Sequence, residues 1–378
     1  MTTPWGDRLL TRFPEDPRDR LRAWDASDEY LLRHLDRERV PLSGTVVVLG
    51  DRWGALVTAL AEHRPVQITD SWLGQEATRA NLARNGVGPG TVRLLTTQDD
   101  PPGRIDVLLV RVPKSLALLE DQLLRLAPAV HADTVVVGTG MVKEIHTSTL
   151  RLFERILGPT RTSLAEKKAR LIFCEPDPAL DRPASPWPYR YTLPGDVGVV
   201  SGRTVVNHAG VFCADRLDIG TRFFLKHLPD VPDGRRVVDL GCGNGVVGTA
   251  AALAQPRAEV LFVDESFQAV ASAQDTHRVN GVPGHAEFRV GDGLAGVAAG
   301  SVDLVLNNPP FHSHQATTDI TARRMFADAR RTLRPGGELW VVGNRHLGYH
   351  VRLRRLFGNS EVVASDPKFV VLRAVKRR

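Results

Sequence analysis

At 378 residues the chain exceeds one ordinary domain, and two is the natural expectation. Its 42% hydrophobic and 24% charged residues exclude a disordered or fibrous protein, and no apolar run is long enough to span a bilayer. A net charge of +6 and a pI of about 9.5 suit a polyanionic partner, although an arginine-rich composition alone produces the same balance.

The first residues, Met1 to Asp7, carry no signal-peptide pattern. Cys174, Cys213 and Cys242 lie far apart, so neither a disulfide framework nor a metal site is expected. The expectation is a reduced cytoplasmic protein, with a monomer as the default.

Trp24 to Leu32 reads as a capped amphipathic helix, with Asp25 or Ser27 as the cap. Strand-like runs at 46–49, 66–70 (ending in the acid Asp70), 92–96, 105–110 and 134–138 then alternate with helical stretches, including 77–85 and one ending near Leu126. This alternation predicts a parallel sheet covered on both faces. Ser163 to Phe173 leads basic residues into a final strand, and the proline-rich stretch from Pro176 to Pro194 reads as an extended linker.

The second half repeats the order. Val197 to Asn207 suggests a hairpin around Ser201-Gly202-Arg203, and a helix is expected over Arg222 to His227. Val237-Val238-Asp239-Leu240 then runs into Gly241-Cys242-Gly243-Asn244-Gly245 and a small-residue helix start. Glycines there permit positive φ and a close approach of backbone to a ligand. The pattern also fits a dinucleotide fingerprint, so by itself it does not name the ligand. Val260 to Asp264 is a second strand ending in an acid, and Gly291-Asp292-Gly293 follows a third. Leu304-Val305-Leu306-Asn307-Asn308-Pro309-Pro310-Phe311 is a strand running into a rigid proline pair and an aromatic ring. Leu333 to Val342 gives a turn and a fifth strand, and Phe369 to Ala374 a last one. His312 and His314 follow Phe311 without a carboxylate or cysteine to complete a ligand set, and read as solvated loop residues.

The glycine turn and the Asn-Pro-Pro-Phe strand end, in this order, resemble the S-adenosylmethionine-dependent methyltransferases that modify exocyclic amino groups. On that resemblance Gly241, Gly243 and Gly245 make room for the cofactor. Asp239 attracts its methionine ammonium, Asp264 binds both ribose hydroxyls and Asp292 accepts from the adenine amino group. Asn307 belongs to the same cofactor set, and Asp218 and Thr221 face the methionine end. Plain helix capping explains Asp218 and Thr221 equally well, and a turn explains Asp292. Asn308 and the Pro309 carbonyl offer two acceptors to the two N–H groups of an aromatic amine, and Phe311 offers a stacking face to an extruded base.

Laying Leu49-Gly50 on Leu240-Gly241 matches the two halves as copies of one architecture. Val48 then stands at the position of Asp239, Arg52 at Gly243, and Arg111 to Lys114 at Asn308 to Phe311. The first copy is therefore expected to have lost catalysis and cofactor binding. Arg52, Arg111 and Lys114 read as a surface that positions nucleic acid, or as solvated loop residues.

Further motifs extend the likeness over nearly the whole chain. They include Trp24-Asp25 with Asp28-Glu29-Tyr30, Pro113-Lys114-Ser115-Leu116, Lys167-Lys168-Ala169-Arg170, Gly210-Val211-Phe212, Leu217-Asp218-Ile219-Gly220 and Leu356-Phe357-Gly358. Together they resemble the ribosomal RNA guanine-N2 methyltransferases built from two tandem Rossmann-like methyltransferase domains, the first degenerate. The resemblance implies a degenerate domain over 1–175 that helps hold RNA, a linker over 176–195 and a catalytic domain over 196–378. It also implies S-adenosyl-L-methionine as cofactor and ribosomal RNA or a ribosomal subunit as partner. The early motifs favour the large-subunit (23S) branch over the small-subunit (16S) branch. Gly348-Tyr349, where a Pro-Tyr pair is expected, is a departure away from the site. An adenine-N6 or glutamine-amide methyltransferase uses the same Asn-Pro-Pro-aromatic logic. A dehydrogenase leaves Asn308-Pro309-Pro310 without a role, and a non-catalytic RNA-binding protein leaves the whole second motif set without one.

Overall fold

The computed structural model describes residues 1–16, 19–231, 233–310 and 315–378. Contacts divide the chain into two units, Met1–Pro186 and Trp187–Arg378.

The first unit opens with a short pair, β1 (Thr2–Thr3) and β2 (Gly6–Asp7), and the helix α1 (Ala26–Arg37). Asp25 caps α1, accepting from the Ser27 amide at 2.9 Å, while Asp28 reaches back to the Asp25 amide at 2.9 Å. The sheet strands are β3 (Val46–Leu49), β4 (Val66–Thr69), β5 (Arg93–Thr96), β6 (Ile105–Arg111), β7 (Val130–Met141), β8 (Thr160–Thr162) and β9 (Ala169–Cys174). Helices α2 (Ala55–Ala59), α3 (Trp72–Arg84), α4 (Leu116–Leu126) and α5 (Thr147–Ile156) connect them. The strand order is β5-β4-β3-β6-β7-β9-β8, parallel except for the antiparallel pairings of β9 with β7 and β8.

The second unit pairs β10 (Tyr189–Thr192) with β11 (Thr204–Asn207). The sheet that follows is built from β12 (Arg236–Leu240), β13 (Glu259–Asp264), β14 (His285–Val290), β15 (Val302–Asn307), β16 (Leu333–Asn344), β17 (Glu361–Ser365) and β18 (Phe369–Val375). Its order, β14-β13-β12-β15-β16-β18-β17, repeats that of the first unit strand for strand. Helices α6 (Ile219–Leu225), α7 (Val246–Ala254), α8 (Phe267–Val279), α9 (Gln315–Thr332) and α10 (Tyr349–Phe357) complete it.

Alternate residues of a strand face opposite sides of a sheet. Val237 accordingly joins one apolar cluster with Phe262 and Leu304, and Val238 joins another with Leu261 and Val305. Both faces are buried, which is why the strands read as continuous apolar runs. Gly248 lets α7 press onto β13, since a Cβ there would lie 2.3 Å from the Phe262 ring.

Three expectations change. The hairpin strand 204–207 pairs with Tyr189–Thr192, because 198–200 curls into a 3-10 turn around Gly198 at φ +64°. The stretch expected as a linker is thus divided: Tyr189 to Thr192, rich in β-formers, becomes a strand, while Arg182 binds the Ile156 carbonyl at 2.9 Å within the first unit. The helix expected at 222–227 begins three residues earlier, at Ile219, because Asp218 caps it.

Candidate functional site

In an open α/β sheet ligands collect beyond the carboxyl ends of the strands, where the strand order reverses. In the second unit that point lies between β12 and its two neighbours, β13 and β15. Asp239, the glycine turn, Asp264, Asn307 and Asn308 lie at the ends of these three strands.

β12 ends in a turn whose three glycines, 241, 243 and 245, have φ of +73°, +53° and +74°. The left-handed region strains any residue with a Cβ. Gly245 is further constrained, because a Cβ would lie 2.6 Å from Ala273 Cβ of α8. Having no side chain, Gly245 gives α7 no cap of the usual kind. Asp239 supplies one from the strand end, accepting from the Gly248 amide at 2.7 Å. Burial pushes its carboxyl up to about 8, and the nearby Asp264 adds repulsion. No cation in the protein meets this carboxylate among the described residues.

Asp264, at the end of β13, accepts from the Gly243 amide at 3.0 Å through one oxygen and from the Ser266 amide at 3.1 Å through the other. Burial raises its carboxyl, and these backbone bonds oppose the shift. Each oxygen keeps a lone pair for a further donor. Asn307 is fully buried, and its Nδ2 donates to the Leu240 carbonyl at 2.7 Å. Its Oδ1 meets no partner among the described residues. Asp292 follows β14 and is ion-paired with Arg324 of α9.

Asn308 leaves the tip of β15, next to the buried Pro309. Its Nδ2 donates to Thr221 Oγ1 at 2.9 Å. Asp218 Oδ2 in turn accepts from the Thr221 amide at 2.8 Å and from its hydroxyl at 3.1 Å. Asn308 Oδ1 is shielded from solvent and has no partner among the described residues. Phe311, His312 and His314 lie outside the described residues. Among those described, no cluster of residues could hold a metal ion and no helix is long and apolar enough to cross a membrane.

Residues 1–178 match the RLMG N-terminal domain family, and residues 202–373 match the methyltransferase small domain family. Over its whole length the chain is 82% identical to the ribosomal RNA large subunit methyltransferase G of Streptomyces coelicolor, with all of both chains covered. It is 50% identical to the protein of that name from Pseudomonas aeruginosa strain PAO1, with 99% of each chain covered. The chain belongs to the ribosomal RNA large subunit methyltransferase G family. Among solved structures it resembles the T. thermophilus 16S rRNA N2 methyltransferase RsmC, in complex with AdoMet and guanosine, with a TM-score of 0.73 and 98% of each chain covered. At 22% identity that likeness speaks for the fold. Within the family the expected large-subunit branch is the one borne out, as is the tandem methyltransferase architecture.

The first copy keeps the backbone of this site and replaces its chemistry. Gly50 and Gly54 hold φ of +76° and +75°, matching Gly241 and Gly245. With Val48 at the position of Asp239, the helix start is met by Asp51 from within the turn, which accepts from the Val57 amide at 2.9 Å. Burial and repulsion from Asp28 push the Asp51 carboxyl up to about 7.

Arg111, at the position of Asn308, requires a correction. It was expected on a positively charged surface, yet only 1% of its side chain is exposed. Its guanidinium meets Asp25 at 2.7 Å, Glu144 at 3.1 Å and Asp28 at 3.3 Å. Burial works against its charge, and the three carboxylates outweigh it and raise its pKa. Arg52 joins the same network, 2.8 Å from Glu144 and 3.6 Å from Asp25. Of the three expected cations, Lys114 is the one left exposed without a carboxylate partner among the described residues.

Sequence reasoning missed Asn207 and Asn244. Asn244 Nδ2 donates to Asn207 Oδ1 at 3.0 Å, tying the glycine turn to the end of β11. Asn207 is fully buried, and its own Nδ2 has no partner among the described residues. A polar residue closing the apolar run Thr204-Val205-Val206 was the available signal.

Proposed function

We propose that the chain transfers a methyl group from S-adenosylmethionine to the exocyclic N2 amine of one guanine in 23S ribosomal RNA. One observation carries the choice of an amine: Asn308 Oδ1 is a buried acceptor at the strand tip with no partner among the described residues. A buried acceptor left unmet costs free energy, so the site calls for an N–H donor.

The residues fit the cofactor. Asp239 is a buried carboxyl that a cation would ionise, Asn307 Oδ1 awaits a donor, and the glycine turn leaves its backbone open. In this reading Asp239 faces the methionine ammonium and Asp264 the ribose hydroxyls. Asp292 and Asn307 complete the adenosine side. When bound, S-adenosylmethionine supplies a methyl group on a sulfonium, whose sulfur leaves as a neutral thioether.

Asn308 Oδ1 and the Pro309 carbonyl accept the two N–H groups of the incoming amine and hold its nitrogen in place. That arrangement favours lone-pair density directed at the donor, and no strong base is needed to begin, because the amine loses its proton to solvent after the methyl has transferred. Phe311 is the stacking face the motif implies. The first unit, lacking these groups, serves to hold RNA, with Lys114 on its surface.

Asn308→Ala tests the reading. Methyl transfer to unmethylated 23S RNA should fall about 100- to 1000-fold, with cofactor affinity retained. The wild-type product, digested to nucleosides, should be N2-methylguanosine; a methylated adenosine, or an active Asn308→Ala, would overturn it.

A further inference from the structure

We infer that Thr221, backed by Asp218, is a positioning residue that decides which face of the Asn308 amide meets the acceptor. This rests on the reading of Asn308 as an acceptor for the incoming amine.

The bonding pattern forces the orientation. A carboxylate only accepts, so the proton of the Thr221 hydroxyl lies toward Asp218 Oδ2, 3.1 Å away. Thr221 Oγ1 can then only accept from Asn308, and the amide atom 2.9 Å from it must be Nδ2. The two ends of an amide are near-isosteric and its flip is decided by its partners. With Nδ2 held, Oδ1 is left pointing away from Thr221, shielded and without a partner among the described residues. The opposite flip would set N–H against the N–H of the acceptor amine. The chain Asp218–Thr221–Asn308 therefore selects for a group that donates.

Two further observations support a built device. Gly220, between the cap and Thr221, sits in a tight space: a Cβ would lie 3.1 Å from Asp218 Oδ2 and 3.0 Å from the Phe369 ring. The first copy also holds this strand-end position from the start of a capped helix. There Asp25 is the cap, Asp28 stands three residues on, and both contact Arg111, the residue aligned with Asn308. In both units the third residue after a helix cap meets this strand tip; the cap itself reaches Arg111 in the first unit and acts through Thr221 in the second. In the second unit a hydroxyl replaces the second carboxylate, and an amide with one free end replaces the cation.

The test is Thr221→Val beside Thr221→Ser, in the full chain with unmethylated 23S RNA and S-adenosylmethionine. Valine is nearly isosteric and keeps the amide that Asp218 caps, so the protein should fold, with a thermal midpoint within a few degrees of wild type. We expect kcat to fall about 10- to 100-fold, the loss seen when a group that orients a ligand is removed. KM for the cofactor should stay within about twofold of wild type, and Thr221→Ser should rescue most of the rate. A wild-type kcat in Thr221→Val would overturn the inference. So would equal impairment of the valine and serine variants, or a defect confined to cofactor affinity, which would place Thr221 at the methionine end instead. An inactive Asn308→Ala beside a fully active Thr221→Val removes only this inference; an active Asn308→Ala removes the reading beneath it.

Discussion

Replacing Arg111 by methionine removes a buried cation and leaves Asp25, Asp28 and Glu144 facing one another around an apolar side chain. In the intact protein burial works to raise the Glu144 carboxyl, but a hydrogen bond from Arg52 and the charge of Arg111 hold it at about 2. Asp28 is raised by burial even with the arginine beside it. Breaking a buried ion pair from one side costs about 3–5 kcal/mol, because the remaining charges keep their desolvation penalty. For a unit spanning Met1–Pro186, 1 kcal/mol moves the midpoint by roughly 2–4 °C, so the unfolding of that unit should drop by roughly 6–20 °C. Scanning calorimetry of the full chain at pH 7 reads this directly. The deficit should narrow on acidification. A depressed carboxyl such as Glu144 stabilises the folded state above its ordinary range and loses that contribution as pH falls toward about 2. Lys114→Glu is the contrasting variant: exposed, it should leave the midpoint alone and weaken RNA binding at low salt. An Arg111→Met protein with an unchanged midpoint and weakened RNA binding would refute this account and return Arg111 to a ligand-facing role.

Two other outcomes follow from the cofactor side. Asp239, pushed up to about 8, is mostly protonated at pH 7, and an ammonium beside it favours the charged form. Cofactor binding at pH 7 should release protons, seen as calorimetric heats that vary with buffer ionisation enthalpy and no longer do so in Asp239→Asn; buffer-independent wild-type heats would count against it. Because the folded value is raised, the unliganded second unit should lose stability as pH climbs from about 4 to about 8, and bound cofactor should flatten that slope. Gly245→Ala forces a Cβ to 2.6 Å from Ala273 at a positive φ, so it should cost about 1–3 kcal/mol in denaturant unfolding and weaken cofactor binding, and a silent variant would contradict the close approach of α7 and α8.

The sequence by itself determined the features that are local and periodic. Apolar runs on both sides of a strand, the spacing of Gly241, Gly243 and Gly245, and the proline pair after Asn308 each encode a backbone shape within a few residues. The internal match of Leu49-Gly50 to Leu240-Gly241 carried the tandem architecture, and it correctly set Arg111 against Asn308. What Arg111 does there was decided only by the tertiary structure. Its carboxylate partners lie more than 80 residues before it, at Asp25 and Asp28, and 33 after it, at Glu144, and sequence cannot tell a buried cation with three such partners from an exposed one. The same holds for Asn308, whose orientation depends on a threonine 87 residues away. It holds too for Thr204–Asn207, which pairs with Tyr189–Thr192 across a curl that local propensity did not announce. Secondary structure is written in short-range periodicity. The assignment of one side chain to another across a strand tip depends on where folding delivers a helix cap, and only the assembled sheet makes that visible.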